Sequence, residues 1–393
     1  MASNRRRFLQ GLAALPGIAA IRPAAGVTVE RDVYRELGVR PLVNAAGTYT
    51  ALSASLLAPE VREAMDAASR KYVNLVELHA AAGKRIAALA GSEAALVTAG
   101  AASALTLGTA ACMTGKDGAK IRLLPDTTGM KNEVVIQKTH RYGYDHAVRN
   151  TGAKLVEVET REDLERAIGE RTAMMLFYHR HDPLGQVKVG DFAAIAKKRA
   201  IPTLIDAAAD IPPIENLSRF LKIGYDLVVF SGGKGLRGPQ CAGLLLGRKD
   251  LVEAAALNNN PNTDTVGRTN KVGKEEIVGM WAALDRAVKL DPAAQWKDWE
   301  RRCATVAAPL ADLKGLKVST FVPEIANAVP HVRITWDYSK LKAGDVVRRL
   351  RDGDPRIETR PEATEGIEIA VWMLEPGEDE LVGRRLREEL EKR

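Results

Sequence analysis

Between residues 94 and 230 the chain repeats one pattern: a short apolar run, a polar or glycine-rich break, then a stretch with helical spacing. The runs at 94–98, 120–124, 133–138, 154–159, 173–178, 202–206 and 227–230 are read as strands. Helices are expected at 100–113, 144–151, 161–167 and 189–199. Strands that are apolar throughout are buried on both faces, and helices between them return the chain in the same direction. The pattern therefore predicts an α/β fold with a large, mostly parallel sheet sandwiched by helices. In such sheets ligands bind beyond the carboxyl ends of the strands. Before this region lie an irregular segment, 40–48, and helices at 59–72 and 78–90. After residue 251 the pattern loosens: helices at 274–290, 304–313, 341–351 and 379–392 alternate with strands at 317–321, 329–336 and 366–371. The expected organisation is an N-terminal segment at 29–75 packing on both domains, a large domain at 76–295 and a smaller α+β domain at 296–393.

The chemistry-bearing residues fall at strand ends. Ser231, Gly232 and Gly233 end the run 227–230 in a glycine turn, Lys234 sits at its tip, and a second apolar strand follows at 241–246. A lysine held between glycines can reach into a pocket and lose part of its hydration, which suits Schiff-base chemistry. A solvated lysine in a glycine-rich hairpin fits this stretch equally well. A Walker A loop is excluded, because Gly235 and Leu236 follow where Ser or Thr and a helix are needed. Asp206 ends another strand and precedes Ala207 and Ala208. A carboxylate above a small, flat floor suits the protonated nitrogen of a pyridine ring. Gly100, Ala101, Ala102 and Ser103 open a helix, whose free N–H groups and positive dipole end suit a phosphate. Ser231 can add a hydroxyl to that phosphate, and His140, after a third strand, can stack on the ring. Phosphate cup, stacker, acid and lysine, each at a strand end, point together to pyridoxal phosphate.

Other signals are weaker. The net charge of +7 suggests a nucleic-acid partner only at first sight, because Arg5, Arg6, Arg7 and Arg22 all precede the first acidic residue, Glu30. No basic run with interleaved aromatics follows, and the arginines of 384–393 alternate with glutamates as helical ion pairs do. Cys112, Cys241 and Cys303 are too far apart for a metal motif and read as small apolar residues. His179 and His181, directly after a strand, offer an alternative reading as a one-sided metal site in a hydrolase. Arg5 and Arg6 or Arg7 before Phe8 and Leu9, then an apolar stretch to Ile21, look like a twin-arginine export signal over residues 1–28. That stretch is too short to span a bilayer as a helix. The expected location is the periplasm or a membrane anchor, with the cytoplasm as alternative.

Several stretches carry a family resemblance: 44–48 (NAAGT), 124–133 (LPDTTGMKNE), 206–213 (DAAADIPP), 230–235 (FSGGKG), and Gly267 and Arg268 with 271–276 (KVGKEE). The chain resembles fold-type-I pyridoxal-phosphate enzymes of the group containing L-seryl-tRNA(Sec) selenium transferase and D-glucosaminate-6-phosphate ammonia-lyase, closer to the ammonia-lyase branch. The resemblance implies that Lys234 forms the Schiff base, that Asp206 pairs the pyridine nitrogen and that Ala101, Ala102 and Ser231 hold the phosphate. It implies an arginine for a substrate carboxylate, with Arg360 the candidate or else a surface charge. Asn44 is a further candidate for the substrate, and Arg268 and Lys271 for an anionic substrate or a neighbouring subunit's cofactor, or else are merely exposed. The implied activity is α,β-elimination or β-replacement on an amino acid or amino-sugar acid, with racemase, aminotransferase and selenium-transferase chemistry as alternatives. A small-molecule amine and a second copy of the chain, as homodimer or larger ring, are the expected partners. Nucleic acid is not expected, because an exported protein would not meet seryl-tRNA.

Overall fold

The computed structural model describes residues 31–337, 341–361 and 366–392. The proposed export signal at 1–28 lies outside the described residues. Contacts divide the chain after Pro41. The described part of the first unit is one short helix, Val33–Glu36, which opens where the Asp32 carboxylate accepts the Arg35 N–H.

The second unit begins at Leu42. Its main sheet has seven strands: β2 (Ala94–Thr98), β3 (Glu133–Gln137), β4 (Lys154–Val158), β5 (Thr172–Tyr178), β6 (Thr203–Asp206), β7 (Leu227–Ser231) and β8 (Gly243–Gly247). A short strand, β1 (Val43–Ala45), precedes them. The order across the sheet is β2-β8-β7-β6-β5-β3-β4. All neighbours are parallel except β8, which runs against both β2 and β7. Successive side chains of a strand face opposite ways, and here both faces are apolar. Val135, Met175, Phe177, Ile205, Val228 and Phe230 join one core with the helices Pro59–Ser69, Leu75–Ala90, Val189–Lys198, Asn216–Ile223 and Lys274–Ala287. Val134, Ile136, Met174, Leu176, Leu204 and Val229 join the other with Gly100–Thr114 and Lys249–Leu257. Phe177, Phe192, Phe220 and Phe230 are wholly buried, and each such side chain contributes about 1.5–3 kcal/mol.

A third core lies around β9 (Leu316–Phe321), β10 (His331–Trp336) and β12 (Ile367–Ala370), covered by Pro292–Ala307, Ala343–Asp352 and Glu378–Leu390. Val43 and Ala45 of β1 belong to it, because β1 pairs in parallel with β11 (Ile357–Thr359).

The structure corrects the sequence reading at several points. Residues 120–124 are not a strand: Gly118–Leu123 is a helix, started by the Asp117 carboxylate on the N–H groups of Ala119 and Lys120. The helix expected at 304–313 begins earlier, at Pro292 behind the Asp291 cap, and ends in a tight turn at Ala308–Leu310. The supposedly irregular 40–48 contains β1. Helices Asn216–Ile223 and Lys249–Leu257 had not been expected. Among the described residues no helix is long and apolar enough to cross a membrane.

Candidate active site

The register of the sheet aligns three carboxyl ends. Asp206 pairs with Tyr178 of β5 on one side and with Val229 of β7 on the other. β8 enters from the same end, with Gly243 opposite both Ser231 and Thr98. A β-carbon on Gly243 would collide with the main chain of Gly100 and Ala101. The glycine thus lets the start of Gly100–Thr114 settle directly on the end of β8. That helix opens on Ala99 with no side-chain cap, so its first N–H groups point outward without an internal acceptor.

The Lys234 loop is equally crowded. β-Carbons on Gly233 and Gly235 would collide with Gln240 and with the Ile211 carbonyl oxygen. The Gly232 N–H donates to Ala242 O at 2.9 Å, the Gly238 N–H to Gly232 O at 2.9 Å, and the Ser55 hydroxyl to Gly233 O at 2.8 Å. The glycines therefore serve close packing rather than freedom, and Lys234 issues from a fixed point.

These elements enclose a cavity of about 450 Å³. Of the residues singled out from sequence, Gly100, Ala101, Ala102, Asp206, Ala208, Ser231 and Lys234 line it. A larger cavity, about 690 Å³, lies at the other end of the parallel strands, around Thr203 and Asp226. It contains none of these residues.

Asp206 is almost fully buried. Its Oδ1 accepts the Ala208 N–H at 3.0 Å, and its Oδ2 accepts the Tyr142 hydroxyl at 2.5 Å. Burial raises its pKa; the Tyr142 hydroxyl, the Ala208 N–H and Lys234 hold the rise in check, and Asp210 adds to it. Lys234 is half-buried. Burial pulls its ammonium below the ordinary lysine range, Asp206 and Asp210 oppose this, and Arg180 adds to it.

Other predicted residues stand elsewhere. Ser103 is buried in the first turn of its helix, outside the cavity lining, and its Oγ has no hydrogen-bond partner. His140 does not line the cavity. The turn Lys138–His140 tucks it beneath the sheet end, edge-on to Phe177 with ring centroids 4.4 Å apart and within 3.3 Å of the Tyr178 N–H. Burial pushes it down to about 4, so it is a neutral, packed imidazole. Tyr178 lines the cavity, and Tyr142 lies parallel against it, 3.9 Å between centroids. Asn44 spends its amide on its own loop: Nδ2 donates to Gly47 O and Ala54 O, and Oδ1 accepts from the N–H groups of Ala46 and Gly47. That loop carries Thr48, Tyr49 and Thr50 into the cavity wall. Arg360 lies 3.4 Å from Glu368 and does not line the cavity. Arg268 and Lys271 are exposed, outside it.

The metal reading lacks geometry. His179 Nδ1 faces Asp210 Oδ1 at 3.0 Å, whereas His181 Nδ1 lies 2.7 Å from Thr139 O. Among the described residues no group of three His, Cys, Asp or Glu side chains is placed to hold a metal ion. Sequence reasoning missed Tyr142, Tyr178, Arg180 and Asp210. Tyr142 stands only two residues beyond His140 and, without lining the cavity itself, reaches the site through Asp206 and Tyr178.

The residues present fit pyridoxal phosphate. A half-buried lysine, a buried carboxylate, a floor of small residues and an uncapped helix start meet in one cavity.

Residues 42–289 match the family described as SelA: L-seryl-tRNA selenium transferase. The chain is 31% identical over 375 residues to D-glucosaminate-6-phosphate ammonia lyase of Salmonella typhimurium, spanning 91% of this chain and 97% of that one. A solved structure of D-glucosaminate-6-phosphate ammonia-lyase superposes with a TM-score of 0.80 at 30% identity, over 92% of this chain and 99% of that one. The chain is also 31% identical over 373 residues to 5'-C-glycyluridine monooxygenase-decarboxylase of a Streptomyces species, spanning 90% of this chain and 91% of that one. A serine palmitoyltransferase solved with pyridoxal phosphate shares the fold, with a TM-score of 0.59 at 14% identity over 89% of this chain and 88% of that one.

Proposed function

The chain belongs to the L-seryl-tRNA selenium transferase family and is a pyridoxal-phosphate-dependent lyase or transferase, and from that premise we propose that it catalyses α,β-elimination on an amino acid or amino-sugar acid. One observation carries the reading: Lys234, Asp206 and the open helix start at Gly100–Ala102 converge on a single cavity. We assign Lys234 to hold the cofactor covalently through Nζ, Asp206 to its ring nitrogen, Ala208 to the floor beneath the ring, and the N–H groups of Ala101 and Ala102 with Ser231 to its phosphate. When bound, the cofactor supplies an electron sink for the substrate's α-carbon. Burial favours the neutral amine of Lys234, which makes it both a nucleophile and a base for the α-proton. Tyr178 lines the cavity beside these residues.

The test is the absorption spectrum of purified protein with and without borohydride, wild type beside Lys234→Ala. A yellow band that borohydride fixes covalently in wild type, and not in the variant, is expected. Protein that takes up no added pyridoxal phosphate would sink the assignment. Amines screened by spectral shift, with D-glucosaminate 6-phosphate among them, would then name the substrate. Replacement chemistry would show as incorporation of an added nucleophile. The equal identity to a monooxygenase-decarboxylase makes oxygen uptake with carbon dioxide release the outcome that redirects the reaction class.

We also propose that residues 1–28 direct export by the twin-arginine route, on the strength of Arg5, Arg6 and Arg7 before an apolar stretch. A reporter fused to 1–28 that stays in the cytoplasm would rule this out.

A further inference from the structure

Asp206 and Asp210 flank the turn after β6, and both line the cavity. Their surroundings differ. Asp206 has a donor on each oxygen, the Ala208 N–H and the Tyr142 hydroxyl. Asp210 instead lies against a second ionisable side chain, with Oδ1 3.0 Å from His179 Nδ1 but without hydrogen-bond alignment, and side-chain exposures of only 4% and 5%. The pair is firmly seated. The His179 ring stands edge-on to Phe220, centroids 4.7 Å apart, and Asn216 Nδ2 donates to Asp210 O at 2.7 Å. The Asn327 N–H holds the preceding carbonyl, Ala209 O, at 2.8 Å.

The pair also stands beside the lysine. Gly235, next to Lys234, packs so closely on the carbonyl of Ile211, next to Asp210, that a β-carbon there would collide with it. Lys234 and Asp210 therefore rise from adjoining points of one wall. Behind the pair lies a second cavity of about 300 Å³, lined by both His179 and Asp210 and by Asp182, Arg219 and Glu324. Asp210 thus lines both cavities, and His179 stands behind it in the second.

An elimination moves two protons at different atoms: one leaves the α-carbon, and a poor leaving group on the β-carbon must gain one. Two carboxylates in unlike surroundings commonly divide such roles. Asp206 is committed to its two donors, whereas Asp210 faces the cavity backed by an imidazole.

We propose that Asp210 is the acid that protonates the departing group, with His179 as its positioning residue; the inference rests on the elimination assigned to the Lys234 site. In this step Lys234 takes the α-proton, and the electrons of the Cα–H bond form the Cα=Cβ double bond. The Cβ–X bond breaks, its electron pair leaves with X, and X takes the proton held by Asp210 and His179. Lys234 then carries one proton more and the pair one fewer. Water in the second cavity re-protonates the pair as Lys234 releases its proton.

The experiment uses the full chain loaded with pyridoxal phosphate, and serine and 3-chloroalanine in both configurations. Hydroxide needs a proton to depart and chloride does not. Exchange of the α-proton in heavy water is followed by NMR, and elimination by pyruvate formed. In Asp210→Asn, elimination from serine is expected to fall by about a hundredfold or more, and from 3-chloroalanine at least about tenfold less steeply, with α-exchange retained. His179→Gln shifts the same ratio in the same direction and serves if Asp210→Asn does not fold. Equal losses with both substrates would overturn the proposal. Wild-type protein that exchanges α-protons but eliminates from neither substrate removes the step assigned to Asp210 while leaving Lys234's role intact. Wild type without exchange refutes the Lys234 reading and takes this inference with it.

Discussion

Replacing Tyr142 with phenylalanine removes one hydrogen bond and little else, because the ring can keep its stack on Tyr178 at 3.9 Å. The lost bond is the one from the tyrosine hydroxyl to Asp206 Oδ2. Hydrogen bonds to charged groups contribute about 1.5–3 kcal/mol, and 1.4 kcal/mol is a factor of ten in affinity. If Asp206 binds the ring nitrogen as an anion, Tyr142→Phe should weaken pyridoxal phosphate binding by roughly ten- to a hundredfold near neutral pH. The sign with pH follows from burial. Asp206 already stands above an unfolded aspartate, and Tyr142 is the largest influence opposing that rise. The raised pKa of Asp206 makes its contribution to the stability of the cofactor-free fold fully present below the unfolded value and lost as pH rises through the folded one. Removing the hydroxyl lifts the folded value further. The variant should then lose cofactor affinity at a higher pH than wild type as the solution is acidified. Titration of cofactor-free protein with pyridoxal phosphate across a pH series measures both effects. A loss of affinity that is the same at every pH would refute the argument and make Tyr142 a packing residue only. Unchanged affinity would remove Asp206 from the ring nitrogen.

Two further substitutions test the frame around the site. Gly243→Ala drives a methyl group into the main chain at Gly100 and Ala101. It should cost on the order of 1–3 kcal/mol by overpacking, seen as a lower thermal midpoint, with cofactor affinity falling further because the helix start is displaced. A wild-type melting curve and affinity would show that helix and strand are not in contact there. Asn44→Ala strips the four hydrogen bonds that shape the loop bearing Thr48–Thr50. We expect about 1–3 kcal/mol of destabilisation and weaker binding of substrate than of cofactor. Equal weakening of both would place the loop's role at the cofactor.

Much of this was legible in the sequence, for a physical reason. Strands such as 172–178 and 227–231 are buried on both faces, so they appear as unbroken apolar runs bounded by polar residues. Lys234, Asp206 and Gly100 were identifiable because strand ends and glycines are marked locally. What escaped depends on contacts distant in the chain. β1 is three residues long and exists through pairing with β11, more than three hundred residues on. Residues 118–123 have apolar content that suits either state, and the Asp117 side chain, not the pattern, decides for a helix. His140 and Tyr142 follow the same strand, and the short 3-10 turn at Lys138–His140 packs His140 against Phe177 while Tyr142 reaches Asp206. Asp210 could not be separated from a loop aspartate without knowing that His179 lies against it.

The reversed direction of β8 also bears on how the site comes together. Lys234 is carried by the connection between two adjacent antiparallel strands, β7 and β8, so its surroundings involve contacts close in sequence and cheap to close. The helix that begins at Gly100 reaches the same place only when β2 docks on the far side of β8, across a span of well over a hundred residues. Contacts of such separation are slow to form. The lysine hairpin should therefore organise ahead of its phosphate cradle. A cofactor gripped by both would act as a clasp across the longest closure in the sheet, and its binding should most strongly slow amide exchange in β2 and the first turns of the following helix.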